Sequence, residues 1–150
     1  MASLELKLNA EQLTQLLNVA FPSGKGDQPI VVEEVRPGVA RIRMRYREWM
    51  QRPGQALSGP TLMAAADTAM YVAVMAHVGP VLMAVTADMN LRFLNRGALG
   101  DVLAEASILK FGRKLVVMEC RVWSAAEPER LAMHSTGSYA LPSGASAKGG

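Results

Sequence analysis

One apolar segment constrains the fold more than any other part of the chain. Residues 58–76 read SGPTLMAAADTAMYVAVMA, in which Ala, Met, Val and Leu occupy most positions. Ser58 can cap a helix, Pro60 suits its first turn, and VGP at residues 78–80 stops it, so we predict a helix from about Pro60 to His77. A helix that is apolar on nearly every side cannot face water, so the rest of the chain must cover it.

The segments on both sides of this helix have the pattern of β-strands. Residues 30–35 and 39–47 are strand-like runs joined by the turn residues Pro37 and Gly38. Residues 48–59, which lead into the helix, are predicted to be a loop. Four more strand-like runs follow the helix, and their short connections predict antiparallel strands; they are residues 81–94, 101–111, 114–124 and 130–141.

The remaining patterns complete a single compact unit. Residues 9–21 carry leucines at helical spacing behind Asn9, a suitable cap, and predict a short amphipathic helix. The predicted fold is α+β, with a curved antiparallel sheet of about six strands wrapped around one long central helix. We expect residues 1–141 to form one domain and the small, polar residues 142–150 to be a disordered tail.

Composition narrows the possible function classes. The net charge of +3 does not by itself indicate a nucleic acid partner, although it would suit an anionic small molecule. The only cysteine, Cys120, excludes an intrachain disulfide and a cysteine-based metal site, and its apolar surroundings predict an inert core residue. The N-terminus lacks the pattern of a signal peptide, and the apolar helix is interrupted by Asp67. We therefore expect a soluble, cytoplasmic protein with no membrane partner.

Four arginines alternate with apolar residues along the second predicted strand. Arg41, Arg43, Arg45 and Arg47 share one face of that strand, because side chains alternate between the two faces of a sheet. We interpret them as a solvated face that also discourages edge-to-edge association. The alternative is a face that binds an anion or another subunit.

Asp67 is the residue of the central helix that most needs an explanation. A buried carboxylate costs several kcal/mol unless a partner compensates it. One interpretation is structural, with Asp67 paired to an arginine or capped by hydroxyls such as that of Thr68. The other is functional, because perturbed acids cluster at active sites.

The start of the same helix is a second candidate site. Its first N–H groups are unpaired and carry partial positive charge, and Gly59 allows close approach to the backbone. Such a helix start stabilises the oxyanion that develops on an acyl carbonyl. Asp67 lies eight residues beyond Gly59, which is ~12 Å along a helix. If the two act on one carbonyl, the simplest geometry takes Gly59 from one subunit and Asp67 from another.

Taken together, these residues resemble a known enzyme family. The segments SGPTLMAAADTAMYVA and AVTADMNLRFLNRGALGDVLAEASILKFGRKLVVMECRV are similar to the hotdog-fold acyl-CoA thioesterases of the PaaI-like, phenylacetate-degradation type. The resemblance covers roughly residues 30–141. The helix of that family usually begins His-Gly-Gly, and its acid follows seven residues after the second Gly. Ser58, Gly59 and Pro60 stand at those three positions here, and Asp67 stands at the acid.

The resemblance implies a role for each matching residue. Gly59 would polarise the thioester carbonyl through its N–H, with Ser58 and Pro60 beside the substrate, and Asp67 would be general base or nucleophile. Thr86 matches a Ser or Thr that helps to hold the water. Arg52 stands where the family often has an Asn or Gln that positions this water, so Gln55 is the expected substitute.

The resemblance also implies an assembly and a carrier. Hotdog domains form dimers by pairing strands into one continuous sheet, with active sites at the subunit interface, and many members are tetramers. The substrate would be a CoA thioester, with no metal or further cofactor. Arg96, Arg113 and Lys114 are candidates to meet the CoA phosphates; the alternative for all three is ordinary solvated charge.

Three other functions remain as alternatives to thioester hydrolysis. Dehydratases and hydratases on this fold pair a His with an acid, but His77 lies on another face of the helix from Asp67, and His134 lies in a strand. A non-catalytic acyl-CoA binding protein is the main alternative, because Ser58, Pro60 and Arg52 depart from the family pattern. An acyl-responsive regulator would need a DNA-binding domain, which the short N-terminal helix does not provide.

Overall fold

The structure is a computed structural model that describes residues 4–22 and 28–145. Within these ranges the chain forms two α-helices, one 3₁₀ helix (Glu48–Met50) and eight strands. The α-helices are α1 (Ala10–Ala20) and α2 (Gly59–Val78). The strands are β1 (Ile30–Arg36), β2 (Val39–Met44), β3 (Gln51–Arg52), β4 (Ala56–Leu57), β5 (Val85–Phe93), β6 (Val102–Phe111), β7 (Leu115–Ser124) and β8 (Leu131–Ala140).

Six of the strands form one antiparallel sheet around α2, as predicted. Their order is β1-β2-β6-β7-β8-β5, and every neighbouring pair is antiparallel. The helix contacts all six strands. Two neighbour relations differ from simple succession. Strand β2 pairs with β6, and β5 pairs with β8 at the sheet edge rather than with β6. The chain between β5 and β6 therefore crosses from the edge of the sheet to its middle. It is attached to β4 by the hydrogen bond that Leu57 N–H donates to the Gly97 carbonyl at 2.9 Å.

The predicted loop before α2 contains regular structure. Residues 48–58 form the 3₁₀ helix and a small hairpin of β3 and β4, so the prediction of a plain loop is wrong. The turn of this hairpin uses Gly54 and Gln55, both at positive φ. Gly54 adopts that conformation without a steric penalty, which allows two-residue strands to pair across so short a connection.

Helix α2 is covered unevenly along its length. Every residue from Ala69 to His77 is buried, whereas Pro60, Met63 and Ala64 are exposed. The exposed residues recur at helical spacing and, with half-buried Asp67 and Thr68, form a stripe on one side of the first half. By length and composition, helix α2 could also cross a membrane, yet 72% of its most apolar 18-residue stretch is buried inside the fold. Helix α2 is therefore the core helix of this fold.

His77 is a structural residue of the core. Its ring is fully buried, Nε2 accepts a hydrogen bond from Gly38 N–H at 2.9 Å, and Nδ1 lies 2.7 Å from the Ala73 carbonyl. This pattern assigns the neutral tautomer with the proton on Nδ1. Burial lowers the pKa of His77, although the hydrogen bond to Ala73 opposes the shift. A helix C-terminus favours a cation, but here desolvation outweighs that effect.

The arginines of β2 are largely neutralised within the sheet. Arg41 pairs with Glu33, Glu34 and Glu105 of neighbouring strands. Arg43 pairs with Glu33 and with Asp101, whose second oxygen accepts from Tyr46 N–H. Arg41 and Arg43 stay partly exposed, as the solvated-face interpretation expects, but β2 lies between β1 and β6, so the prediction that this face guards a sheet edge is wrong. The strand itself ends at Met44, before Arg45 and Arg47.

Two smaller predictions concern Cys120 and the C-terminal tail. Cys120 is fully buried, and burial raises the pKa of its thiol far above the usual range, in agreement with an inert core residue. The tail begins with a turn in which Ala145 N–H donates to the Pro142 carbonyl at 3.1 Å. Residues 146–150, the rest of the predicted disordered tail, lie outside the described residues.

Candidate active site

Asp67 is held by two hydroxyl groups. Thr86 Oγ1, from β5, donates to Asp67 Oδ1 at 2.6 Å, and the Tyr139 hydroxyl, from β8, donates to the same oxygen at 2.6 Å. Thr86 and Tyr139 are directly paired across the two strands, which explains why both reach one carboxylate. Asp67 Oδ2 accepts no hydrogen bond from any residue in 4–22 or 28–145. The carboxylate is therefore fixed through one oxygen and open at the other.

Tyr139 was not among the residues predicted from the sequence. It is buried, and its hydroxyl also lies 2.9 Å from the Asp67 carbonyl. Burial, and after it the hydrogen bond to Asp67, raises the pKa of Tyr139 far above the usual range, so the hydroxyl keeps its proton and remains a donor. The sequence did carry a signal for Tyr139: it lies in a predicted strand whose side chains alternate between the two faces of the sheet, and a buried tyrosine hydroxyl needs a hydrogen-bond partner.

A second aromatic residue supports Tyr139 from behind. The rings of Tyr71 and Tyr139 meet edge to face, with centroids 5.9 Å apart. The Tyr71 hydroxyl donates to the Leu82 carbonyl at 2.7 Å, which ties the turn before β5 to α2. Because both ends of this contact are fixed, the Tyr139 ring has little freedom to move away from Asp67.

The start of α2 has the geometry expected of a capped helix. Ser58 Oγ accepts from Thr61 N–H at 3.3 Å and lies 2.7 Å from Thr61 Oγ1. Pro60 is exposed in the first turn. Gly59 N–H makes no backbone hydrogen bond in the described structure, and a Cβ at Gly59 would lie 3.6 Å from the Phe93 ring of β5. Gly59 therefore presents a free N–H beside the end of an edge strand.

Gly59 also lines a pocket of about 670 Å³. The hairpin before α2 forms one wall, and the end of β5 with the connection after it forms the other. Asp67 is not part of this pocket, which agrees with the separation expected along the helix. The lining residues are Arg52, Ala56, Leu57, Gly59, Leu62, Phe93, Leu94, Asn95, Arg96 and Gly97.

The structure separates the other predicted site residues. Arg96 lines the Gly59 pocket and donates to the Gly54 carbonyl at 2.8 Å. Gln55 is exposed in the hairpin turn and does not line the pocket, whereas Arg52 does. Arg113 and Lys114 lie exposed in the turn between β6 and β7. That turn is joined to the end of β8 by Leu141 N–H and the Lys114 carbonyl at 2.8 Å, near the Asp67 end of the sheet.

The candidate residues thus form two groups at opposite ends of β5. Thr86, at one end, contacts Asp67, and Phe93, at the other end, lies against Gly59. Strand β5 is an edge strand, and most of its residues are exposed. Within the described residues, no group of three or more His, Cys, Asp or Glu side chains is arranged to hold a metal ion.

Comparison with known proteins identifies the fold. The family model described as "Thioesterase superfamily" matches residues 54–130. The chain is also similar to a candidate thioesterase from Silicibacter sp. TM1040, with 30% identity, coverage of 94% of this chain and 96% of that one, and a TM-score of 0.81. None of the curated proteins matches the chain.

Two more distant structures agree on the fold. Zebrafish thioesterase superfamily member 2 is 23% identical over 91% of this chain and all of that one, with a TM-score of 0.76. A thioesterase from Haemophilus influenzae is 20% identical over 93% of this chain and 94% of that one, with a TM-score of 0.73. The predicted hotdog architecture, one long helix against an antiparallel sheet, is confirmed.

Proposed function

Because the chain belongs to the thioesterase superfamily, we propose that it is a PaaI-like acyl-CoA thioesterase that releases CoA and a carboxylic acid. The observation that carries this proposal is the Asp67 carboxylate. Two hydroxyls fix one of its oxygens, and the other is left without a protein donor in the described structure. Asp67 is half-buried at the end of the exposed stripe of α2, so this second oxygen is available to accept a proton from water.

The proposed chemistry needs only these groups and water. Gly59 N–H stabilises negative charge on the thioester oxygen. Asp67 Oδ2 takes a proton from water as the water oxygen attacks the carbonyl carbon, and the carbon–sulfur bond breaks to release the CoA thiolate, which then takes up a proton. In the nucleophilic variant, Oδ2 attacks the carbonyl first and the carbon–sulfur bond breaks to expel the CoA thiolate, which takes up a proton; water then hydrolyses the mixed anhydride to the carboxylic acid and restores Asp67.

The exposed edge of β5 supports a site shared between two subunits. An antiparallel pairing of β5 with its copy, centred on Met89, brings the Thr86 end of one strand opposite the Phe93 end of the other. Asp67 of one subunit then faces Gly59 of its partner, which resolves their separation along α2. The same dimer covers exposed apolar side chains, including Met63, Val85 and Phe93.

The function is tested by measuring CoA release from a panel of acyl-CoA thioesters. We expect turnover by the wild type and a loss of about 100-fold or more in Asp67→Asn. The same Asp67→Asn protein should still bind the thioesters. Absence of turnover on every acyl chain, with retained binding, would support the alternative, a non-catalytic acyl-CoA binding protein.

The shared site is tested separately by the oligomeric state. We expect a homodimer or homotetramer in sedimentation, and a Met89→Pro substitution in the middle of β5 should weaken it, because proline removes a ladder hydrogen bond. A second test does not depend on whether the proline variant folds: mixing Asp67→Asn subunits with Gly59→Val subunits should restore part of the activity. A monodisperse, active monomer would contradict the shared geometry.

A further inference from the structure

We propose that the Gly59 pocket accepts acyl groups that end in a carboxylate, and that Arg52 is the residue that recognises this end. The inference rests on the proposed thioester hydrolysis and names the substrate class for it. It starts from the unequal lining of the pocket: apolar side chains form one part, and two guanidinium groups, Arg52 and Arg96, form another. No carboxylate is among the lining residues.

The charges of the pocket are not neutralised by the protein. Arg52 makes no ion pair or hydrogen bond through its side chain within residues 4–22 and 28–145. Arg96 donates to the Gly54 carbonyl, a neutral acceptor, and leaves its other N–H groups available. Arg41 and Arg43 of β2 each contact at least two carboxylates, so the chain does pair arginines where their role is structural.

The guanidinium groups are attached to a rigid frame. A Cβ at Gly54 would lie in the space taken by Arg96 Nη2, the end of a flexible side chain, and the positive φ of Gly54 favours glycine at this turn. Ala56 forms a bridge with Ala98, and Leu57 N–H donates to Gly97. The hairpin that carries Arg52 is thereby fixed to the connection that carries Arg96. The backbone positions of both arginines are therefore fixed, and only the Arg52 side chain has to be ordered when an anion binds.

The distance from Gly59 favours the acyl end over the CoA phosphates. Gly59 and Arg52 line the same pocket, and the cube root of its volume of about 670 Å³ is about 9 Å, so an anion held by Arg52 lies on the order of 10 Å from Gly59 N–H. The pantetheine arm places about 13 bonds between the thioester sulfur and the nearest phosphorus, roughly 15 Å at ~1.2 Å per bond. A five-carbon diacid places about four bonds, or ~5 Å, between its thioester carbon and its free carboxylate.

The apolar side chains of the pocket set the requirement on the middle of the acyl chain. Leu57, Leu62 and Phe93 line the pocket between the helix start and the opposite wall. Methylene groups of the acyl chain can pack against them, while the terminal carboxylate reaches the Arg52 guanidinium in a charge-assisted hydrogen bond. The expected substrate is thus a short, linear dicarboxylic acyl thioester.

The test compares two five-carbon thioesters that differ only at the far end of the chain. Glutaryl-CoA ends in a carboxylate and valeryl-CoA in a methyl group. We expect wild-type kcat/KM to favour glutaryl-CoA by about tenfold or more, and Arg52→Met to reduce the glutaryl-to-valeryl ratio by about tenfold. Arg52→Lys, which keeps the charge, should retain part of the preference. Arg121→Met, an exposed arginine of β7, is the matched control and should leave the ratio unchanged.

Glutaryl- and valeryl-pantetheine, which lack the nucleotide phosphates, identify the anion. The effect of Arg52→Met on the ratio should persist with these esters. If Arg52→Met lowers turnover of both CoA esters equally and has no effect on the pantetheine esters, Arg52 binds a CoA phosphate and the proposal is overturned. A wild-type preference for valeryl-CoA overturns it too.

A protein without thioesterase activity is handled by a binding measurement. If no acyl-CoA is hydrolysed, the proposed function fails, and calorimetric titration of wild type and Arg52→Met with both CoA esters replaces kinetics. Tighter binding of glutaryl-CoA by about tenfold, lost in Arg52→Met, would support the specificity without the reaction. Equal binding of the two esters would end it.

Discussion

Asp67 and His77 lie ten residues apart on the same apolar helix, and their surroundings make them opposites. Both ring nitrogens of His77 have backbone partners, and the ring is completely buried. Asp67 is half-buried, and only one of its two carboxylate oxygens accepts hydrogen bonds in the described structure. The fold thus uses both hydrogen-bonding atoms of the His77 ring, whereas it leaves one oxygen of Asp67 available to another partner.

The difference arises from what covers each half of the helix. The second half is enclosed by the sheet and by the N-terminal segment, where Lys7 N–H donates to the Ala76 carbonyl at 2.7 Å. The first half carries the exposed stripe that ends at Asp67 and Thr68. A polar residue in the enclosed half can serve only the protein itself, whereas one at the stripe remains accessible to a ligand or partner.

The largest expected effect concerns Asp67. Asp67→Asn keeps an oxygen that can accept from Thr86 and Tyr139 but removes the base, so kcat for thioester hydrolysis should fall by about 100-fold or more. The midpoint of thermal unfolding should change little. Asp88→Asn is the matched control, because Asp88 is an exposed acid of β5, the strand that carries Thr86, and it bonds Ser138. Full activity in Asp67→Asn would show that Asp67, like His77, is not needed for catalysis.

His77 should show the reverse behaviour. His77→Leu leaves the Gly38 N–H without its acceptor, and the free energy of unfolding should fall by about 1–3 kcal/mol in urea titrations. The kcat of the folded fraction should stay close to wild type. His134→Leu provides the comparison, since His134 is half-buried and, among the described residues, its ring is hydrogen-bonded to Glu119 alone, at 3.2 Å. A loss of kcat without loss of stability would give His77 a role in catalysis.

The hydroxyls that hold Asp67 should have an intermediate effect. Tyr139→Phe removes one of the two donors to Oδ1, and we expect kcat to fall by about tenfold with a smaller change in KM, because the carboxylate loses orientation rather than its charge. Tyr71→Phe is the control: the Tyr71 ring meets that of Tyr139 edge to face, but its hydroxyl bonds Leu82. Equal losses in the two variants would indicate general loosening instead of a specific contact to Asp67.

The smallest expected effect is a pH dependence of stability. Burial lowers the pKa of His77 in the folded state, so the unfolded state binds a proton more readily. The stabilisation is complete above the unfolded pKa of about 6.5 and is lost as pH falls towards the folded pKa. Below about pH 6.5, the free energy of unfolding should fall more steeply with decreasing pH in wild type than in His77→Gln. Identical slopes would contradict a neutral, buried His77.

The sequence predicted the main elements because their signals are local. The continuous apolar run gave α2, with bounds Gly59–Val78 within a residue or so of expectation, and Asn9 with Gln12 forms a capping box at the start of α1. Alternation predicted the strands and the arginine face of β2. The hairpin at residues 51–57 was missed because two-residue strands carry no periodicity, and because its stability depends on contacts with the distant connection after β5.

For the candidate site, the sequence determined the residue types and the tertiary structure decided their use. Asp67 and Gly59 were identifiable because a carboxylate and a capped helix start are unusual within an apolar run. Only the pairing of β5 with β8 brought Thr86 and Tyr139 onto one oxygen of Asp67. Only the crossover after β5 set Arg96 beside the hairpin of Arg52. Local patterns report what a segment can bury, whereas contacts between residues far apart in sequence depend on how the whole chain closes around its helix.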